Sequence, residues 1–396
     1  MRGLPLSHPL VRAALCLFLL ALPLASAWNL AVAPTHPSLA IKIGPKLGGV
    51  TRDAKVDLSW SSLRDGSFQK AVASRVTDAM PVRPLLIRIN NEIRFELFGE
   101  LTAPQVVRGA KGQLIERSYL EEYCARTEDQ AAKFAADIIP KLKDIQNYYR
   151  TRGGVFVYLV TPSKAAHLPE YFVDRVPCPS TPAARTGLVP HYVDLLRQAG
   201  IDVVDTASLI HSLKGKYEVE LFPQGGVHWN DIGGARAVTA AVEEINRQAG
   251  RELVPPFTFT YTLSGVTSGV DRDLADLLNV FFPPLSYLTP KVNFRTAVPC
   301  ATSPARSIDA VLVGSSFSHL PGQILIEDNC LSELNVYYYM HLGRFGGSPY
   351  HELQRDLKDT DLARLRDATI VILEENESFV ARTGYVNELR KIVTTP

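Results

Sequence analysis

Two kinds of apolar pattern alternate along this chain. Short continuous runs rich in Val, Ile and Leu, at 155–161, 310–313 and 369–373, predict strands buried on both faces. Between them, apolar residues recur at helical spacing over 131–150, 189–199 and 235–248, and 202–205 predicts a further short strand. Residues 105–107 and 113–115 flank the glycine-containing stretch 109–112 and predict a hairpin. Strands alternating with helices in this way predict an α/β fold, a parallel sheet sandwiched by helices. Ahead of it, a helix over 68–79 is entered through Asp65-Gly66-Ser67, with Val72 and Val76 on one face. A second amphipathic stretch, 85–98, completes a small helical N-terminal preface. Residues 28–49 show no period and read as a poorly ordered lead-in; 177–182 reads as a loop, and 283–290 interrupts the pattern.

The first residues differ in kind. Arg2 and Arg12 precede an almost wholly apolar run, 13–24, followed by Ala25-Ser26-Ala27. A positive start, a short apolar core and small residues in an A-x-A pattern mark a secretory signal peptide. The run falls short of the roughly 20 residues that span a bilayer comfortably. The expected division is therefore 1–27 as signal peptide, cleaved after Ala27, or as an uncleaved inner-membrane anchor; 28–104 as lead-in and preface; and 105–396 as the main domain. An exported chain accommodates disulfides, and Cys124, Cys178, Cys300 and Cys330 allow three pairings besides the alternative of free buried thiols. No C-x-x-C pair supports a zinc site, and no metal or cofactor is expected. A net charge of +1 over 396 residues excludes electrostatic binding to nucleic acid.

Candidate chemistry lies in two motifs. Gly225-Gly226-Val227-His228-Trp229-Asn230 offers a histidine before a helix, and Gly314-Ser315-Ser316 follows the strand at 310–313. A serine at the carboxyl end of a parallel strand sits where open α/β sheets hold ligands. A histidine is the usual base for such a nucleophile. Taken singly, each motif is as readily a turn, a helix cap or a packed core histidine.

The order and spacing of several segments resemble the SGNH-hydrolase-like proteins of alginate O-acetylation, the AlgJ and AlgX type. These are Asp65-Gly66-Ser67-Phe68-Gln69 with Arg83 and Leu86-Ile87-Arg88, then Val106 through Leu114 with Tyr119, then Thr161-Pro162-Ser163-Lys164, and Ser268 through Ala275 between the two motifs. The resemblance implies an SGNH-hydrolase-like, flavodoxin-like sheet with the histidine motif ahead of the serine motif, a permuted order. It also implies a periplasmic enzyme that acetylates an exopolysaccharide such as alginate, supplied with acetyl groups by a membrane-bound O-acyltransferase. Carried over by position, Ser316 is the nucleophile and His228 the general base. Gly314, Ser315 and the Ser316 N–H would serve the oxyanion, with Asn230 and Asp231 in support.

Two positions depart from the family pattern. Asp-x-His becomes Gly226-Val227-His228, and Gly-Asp-Ser becomes Gly314-Ser315-Ser316. Asp231, Asp205 and Glu374 are the candidates to replace the lost carboxylate. Trp229 and Tyr338, among Tyr337, Tyr338 and Tyr339, are candidate sugar platforms, and Arg344 a candidate for a uronate carboxylate. Competing functions are a polysaccharide O-acetyl esterase using the same dyad, and a catalytically weak scaffold of a modification complex, which the two departures favour.

Overall fold

The computed structural model describes residues 9–49, 58–172, 174–296, 303–327, 330–331, 334–345, 351–352 and 357–395. The chain forms two compact units, one of residues 1–104 with 276–283, the other of 105–275 with 284–396.

The first unit is helical, with Pro9–Val32, Trp60–Arg64, Ser67–Ala79 and Arg83–Phe98. The lead-in expected to lack order is instead pinned by one buried side chain. Asn29 Nδ2 donates to the carbonyls of Ile41 (2.7 Å) and Ala79 (2.8 Å), and its Oδ1 accepts from the Ile41 N–H (2.7 Å). Hydropathy periodicity cannot register such a lone polar anchor. The expected cleavage point after Ala27 falls inside the first helix. Among the described residues no helix is long and apolar enough to cross a membrane.

The second unit is built on a seven-stranded sheet. In chain order the strands of the chain are β1 (Val106–Arg108), β2 (Leu114–Glu116), β3 (Val155–Thr161), β4 (Val203–Asp205), β5 (Phe257–Ser264) and β6 (Thr289–Thr296). They continue with β7 (Ala310–Gly314), β8 (Leu334–Tyr338), β9 (His341–Phe345), β10 (His351–Glu352) and β11 (Ile370–Asn376). The sheet order is β10-β9-β8-β7-β11-β3-β4. Strands β8, β7, β11, β3 and β4 run parallel, while at one edge β9 runs antiparallel to β8 and β10 antiparallel to β9. This is the α/β architecture that the continuous apolar runs predict. The central strands β3, β7 and β11 are buried along their whole length. Helices Ala131–Arg150, Leu188–Gln198 and Tyr385–Thr394 contribute to one core with the sheet through Ile138, Leu142, Tyr192, Leu196 and Leu389.

Strands β1 and β2 form the expected hairpin, displaced by one residue. The antiparallel pair β5–β6 was not expected; eight residues pair from Phe257↔Thr296 to Ser264↔Thr289. Its alternating burial on β5 is weak, and Pro290 within β6 masks the strand signal. Cys124 and Cys178 are joined in a disulfide, Cys330 is also disulfide-bonded, and Cys16 is free and exposed. Cys300 and the glycines at 346 and 347 lie outside the described residues.

The Cys124–Cys178 bridge closes a segment of 54 residues. Loop-closure entropy puts its contribution at about 4 kcal/mol. Cys178→Ser should lower the stability extrapolated to zero urea by about that amount and steepen the urea slope as the unfolded chain expands, and an unaltered stability would show that the bridge does not restrain the unfolded chain.

Candidate functional site

Strand β7 ends at Gly314, and a short 3-10 turn, Ser316–Ser318, begins two residues on. Ser315 caps that turn, its Oγ accepting from the Phe317 N–H at 3.2 Å. The same Ser315 donates twice to Glu374 Oε2 on neighbouring β11, from its N–H (2.6 Å) and its Oγ (2.8 Å). Thr161 Oγ1, at the end of β3, donates to Glu374 Oε1 at 2.5 Å. A Cβ at position 314 would lie 2.6 Å from Glu374 Oε2 and 2.8 Å from its Cβ, so glycine is what admits this carboxylate. Burial pushes the Glu374 carboxyl up to about 7, against the pull of the donors on Thr161 and Ser315.

The histidine stands in the loop before helix Asp231–Ala249. Its Nδ1 is hydrogen-bonded to Asp273 Oδ2, and the other oxygen, Oδ1, accepts from the Val227 N–H at 2.9 Å. Asp273 is the first residue of the helix Asp273–Leu277. Its approach depends on Gly226, where any Cβ would stand 2.1 Å from the Val270 carbonyl oxygen. With Nδ1 committed to the carboxylate, Nε2 of His228 is buried and, among the described residues, has no hydrogen-bond partner.

His228, Ser315 and Ser316 line one cavity of about 380 Å³, together with Tyr119, Asn376 and Tyr339. Beneath it Phe317 is fully buried, its ring 4.8 Å from His228, 5.8 Å from Tyr119 and 6.1 Å from Trp229, centroid to centroid. Burial raises the Tyr119 phenol well above its ordinary value, so it stays protonated. No hydrogen bond joins Ser316 to His228 in this structure; such bonds commonly tighten only once substrate is bound.

The remaining candidates fall elsewhere. Asn230 is buried as a cap, accepting from the Gly233 N–H (3.2 Å) and donating to the Glu220 carbonyl (2.9 Å). Asp231 starts the following helix, with Lys291 and Asp271 as its charged neighbours. Asp205 caps the helix Thr206–Ser212 through the Ser208 N–H (2.8 Å). Glu374 holds the serine turn and makes no bond to the histidine. Trp229 is wholly buried and offers no platform. Tyr337 is equally buried, Tyr338 is half-buried, and it is Tyr339, 45% exposed, that reaches the cavity. Arg344 pairs with Asn335 in the sheet register, while its side chain lies outside the described residues.

The residue that sequence reading missed is Asp273. It lies within the segment 268–275 that carries the family resemblance, but Asp271 stands two residues away and nothing local separates the two. Tyr119 was likewise in view without a role.

Residues 119–324, more than half of the chain, match the family described as ALGX, the SGNH hydrolase-like domain of the acetyltransferase AlgX. Among solved structures, the O-acetyltransferase domain of Pseudomonas putida AlgJ is similar at 17% identity, covering 72% of this chain and 99% of that one, with a TM-score of 0.44. Pseudomonas aeruginosa AlgX is similar at 16% identity, covering 73% of this chain and 66% of that one, with a TM-score of 0.45. Bacillus cereus PatB1 with a sulfonyl adduct aligns at 9% identity over 72% and 99%, with a TM-score of 0.41. No curated protein matches.

Restoring aspartate in the histidine motif should harm the protein. Gly226→Asp must displace Val270 and with it Asp273, so both the melting temperature and the acetyltransferase activity should drop; a variant as stable and active as the parent would refute the steric argument. Glu374 supplies a pH signature. Its carboxyl titrates at about 7 in the fold against 4.5 as its ordinary value, so burial favours the protonated form. The stability it lends is therefore complete below about pH 4.5 and lost as pH rises through about 7. Glu374→Gln should flatten the melting temperature between those limits, and an unchanged slope would assign that dependence to other groups.

Proposed function

Because the chain belongs to the SGNH hydrolase-like family of the acetyltransferase AlgX, we propose that this O-acyltransferase moves acetyl groups onto exopolysaccharide hydroxyls through an acetyl-Ser316 intermediate. Ser316 Oγ attacks the acyl carbonyl while His228 Nε2 accepts its proton. Asp273 fixes the Nδ1–H tautomer of His228 and stabilises the imidazolium. The tetrahedral intermediate collapses to the acetyl-serine, and the departing group leaves with the proton held by His228. A sugar hydroxyl then attacks the acetyl-serine, losing its proton to His228, and the ester forms as Ser316 recovers its own. The Ser316 N–H stands at the first position of a helical turn, where no intrahelical acceptor exists, and would donate to the oxyanion.

The observation that carries this reading is the divided use of the imidazole: Nδ1 bound by a carboxylate, Nε2 without a partner among the described residues, on a histidine that lines a cavity with Ser316. It also weakens the scaffold reading, which drew on the missing aspartate, since Asp273 occupies the orienting role that Gly226 vacates. Export to the periplasm through the segment 1–27, and supply of acetyl groups by a membrane-bound O-acyltransferase, belong to the same proposal. Alginate-type polymers are the acceptor class that the family suggests.

The test uses 4-nitrophenyl acetate with mass spectrometry of the quenched protein. A burst and an acetyl adduct on Ser316 are expected, both absent in Ser316→Ala and His228→Ala. Asp273→Asn should slow acylation by up to ~10⁴. Turnover that survives Ser316→Ala would sink the acyl-enzyme mechanism, and acceptor-independent release of acetate alone would move the reading to an esterase.

A further inference from the structure

One buried ionisable group close to the site has no part in the chemistry above. Lys164 follows β3 and opens the short helix Lys164–His167, which Ser163 caps by accepting the Ala166 N–H at 3.3 Å. Its side chain turns inward and is 1% exposed. Its ammonium donates to three carbonyl oxygens of one loop: Pro223 at 2.6 Å, Gln224 at 3.2 Å and Gly226 at 2.8 Å. Three donors thus meet three acceptors within four residues of sequence, two residues ahead of His228. Among the described residues it forms no ion pair, and Asp273 is the one charge that favours its protonation against a burial that draws it down to about 7.

Holding an ammonium in the interior is costly unless its hydrogens are all taken up. Here they are, and the beneficiary is the histidine loop. The Gly225 carbonyl accepts from the Ala275 N–H at 2.9 Å, and the Gln224 carbonyl also accepts from the Leu114 N–H at 2.8 Å. With Lys164, every carbonyl from 223 to 226 is therefore engaged. From the other side, the Gly225 N–H donates to Tyr287 Oη (3.1 Å) and the Val227 N–H to Asp273 (2.9 Å). The loop is held between a cation that gathers its carbonyls and a carboxylate that gathers an N–H and the imidazole.

We propose that Lys164 is a positioning residue for acyl transfer, fixing the loop 223–227 so that His228 meets Asp273 on one side and Ser316 on the other. This rests on the His228–Asp273 reading given above. Lysine suits the task because its three hydrogens point to separate acceptors, whereas the planar arginine fork directs its donors within one plane.

The discriminating measurement is a double-mutant cycle on the acylation rate with 4-nitrophenyl acetate, using Lys164→Met, Asp273→Asn and the pair in the full chain. Lys164→Met should slow acylation by ~10², the penalty of a misplaced catalytic group, while KM changes little. Combined with Asp273→Asn it should add almost nothing, because both act through the same imidazole. The downfield proton resonance of the His228–Asp273 hydrogen bond should be lost or shifted in Lys164→Met. An unchanged rate in Lys164→Met overturns the inference, as do penalties that multiply in the double variant. If Lys164→Met does not melt cooperatively, Lys164→Gln, which keeps two donors without charge, is read by the same cycle. A wild-type rate in Asp273→Asn alone would instead overturn the His228–Asp273 pairing on which the inference stands.

Discussion

The absence of a side chain at Gly226 is the constraint from which the site follows. The carbonyl oxygen of Val270 occupies the space a Cβ would need, 2.1 Å away. That approach brings the segment 270–273 against the histidine loop and lets one carboxylate hold both Val227 N–H and His228 Nδ1. An aspartate within the motif and the packing of this segment are mutually exclusive. The departure from Asp-x-His is thus compensated by an exchange of which element brings the carboxylate.

The serine motif repeats the arrangement. Where the family pattern has aspartate, Ser315 stands, and the carboxylate arrives from β11 as Glu374. Again a glycine makes the room, since a Cβ on Gly314 would collide with Glu374. In both motifs, then, a local carboxylate is absent and a remote one arrives where a glycine leaves room, Glu374 directly against Gly314 and Asp273 by way of the Val270 backbone packed on Gly226. The two are not interchangeable. Glu374 is wholly buried and held up near 7, in keeping with a group that binds the N–H and hydroxyl of a turn. Asp273 keeps 28% of its side chain exposed and divides its oxygens between the Val227 N–H and His228 Nδ1.

The parallel core was legible in the sequence because fully buried strands announce themselves as unbroken apolar runs, as β3, β7 and β11 do. Their ends were less so. The apolar run that predicts this strand ends at Leu373, yet β11 continues through Glu374 and Glu375 and each is fully buried. Polarity stopped the reading where hydrogen bonds from Thr161, Ser315, Tyr158 and Thr383 allow the strand to go on. Asp273 escaped for a related reason: its partner lies 45 residues away, and only the fold brings them together. Trp229 was misjudged in the opposite sense, since an aromatic beside a candidate base suggests a sugar platform while its ring fills the core under Phe317.

These observations set what the cavity can offer an acceptor. The hairpin turn that follows β8 places Tyr339 and Met340 at φ of 47° and 61°, a left-handed backbone unusual for such side chains. The Tyr339 N–H donates to the Gly314 carbonyl at 3.0 Å, tying this turn to the strand end that precedes the serine. The strained residue is also the exposed aromatic of the cavity, with its ring 4.4 Å from that of Tyr338 and 6.1 Å from that of Tyr385. Under the proposed function Tyr339 is the candidate sugar platform, on a backbone already tied to the end of β7. In the proposed reaction, the geometry that places the serine and the geometry that would receive the sugar are then a single arrangement, joined at Gly314.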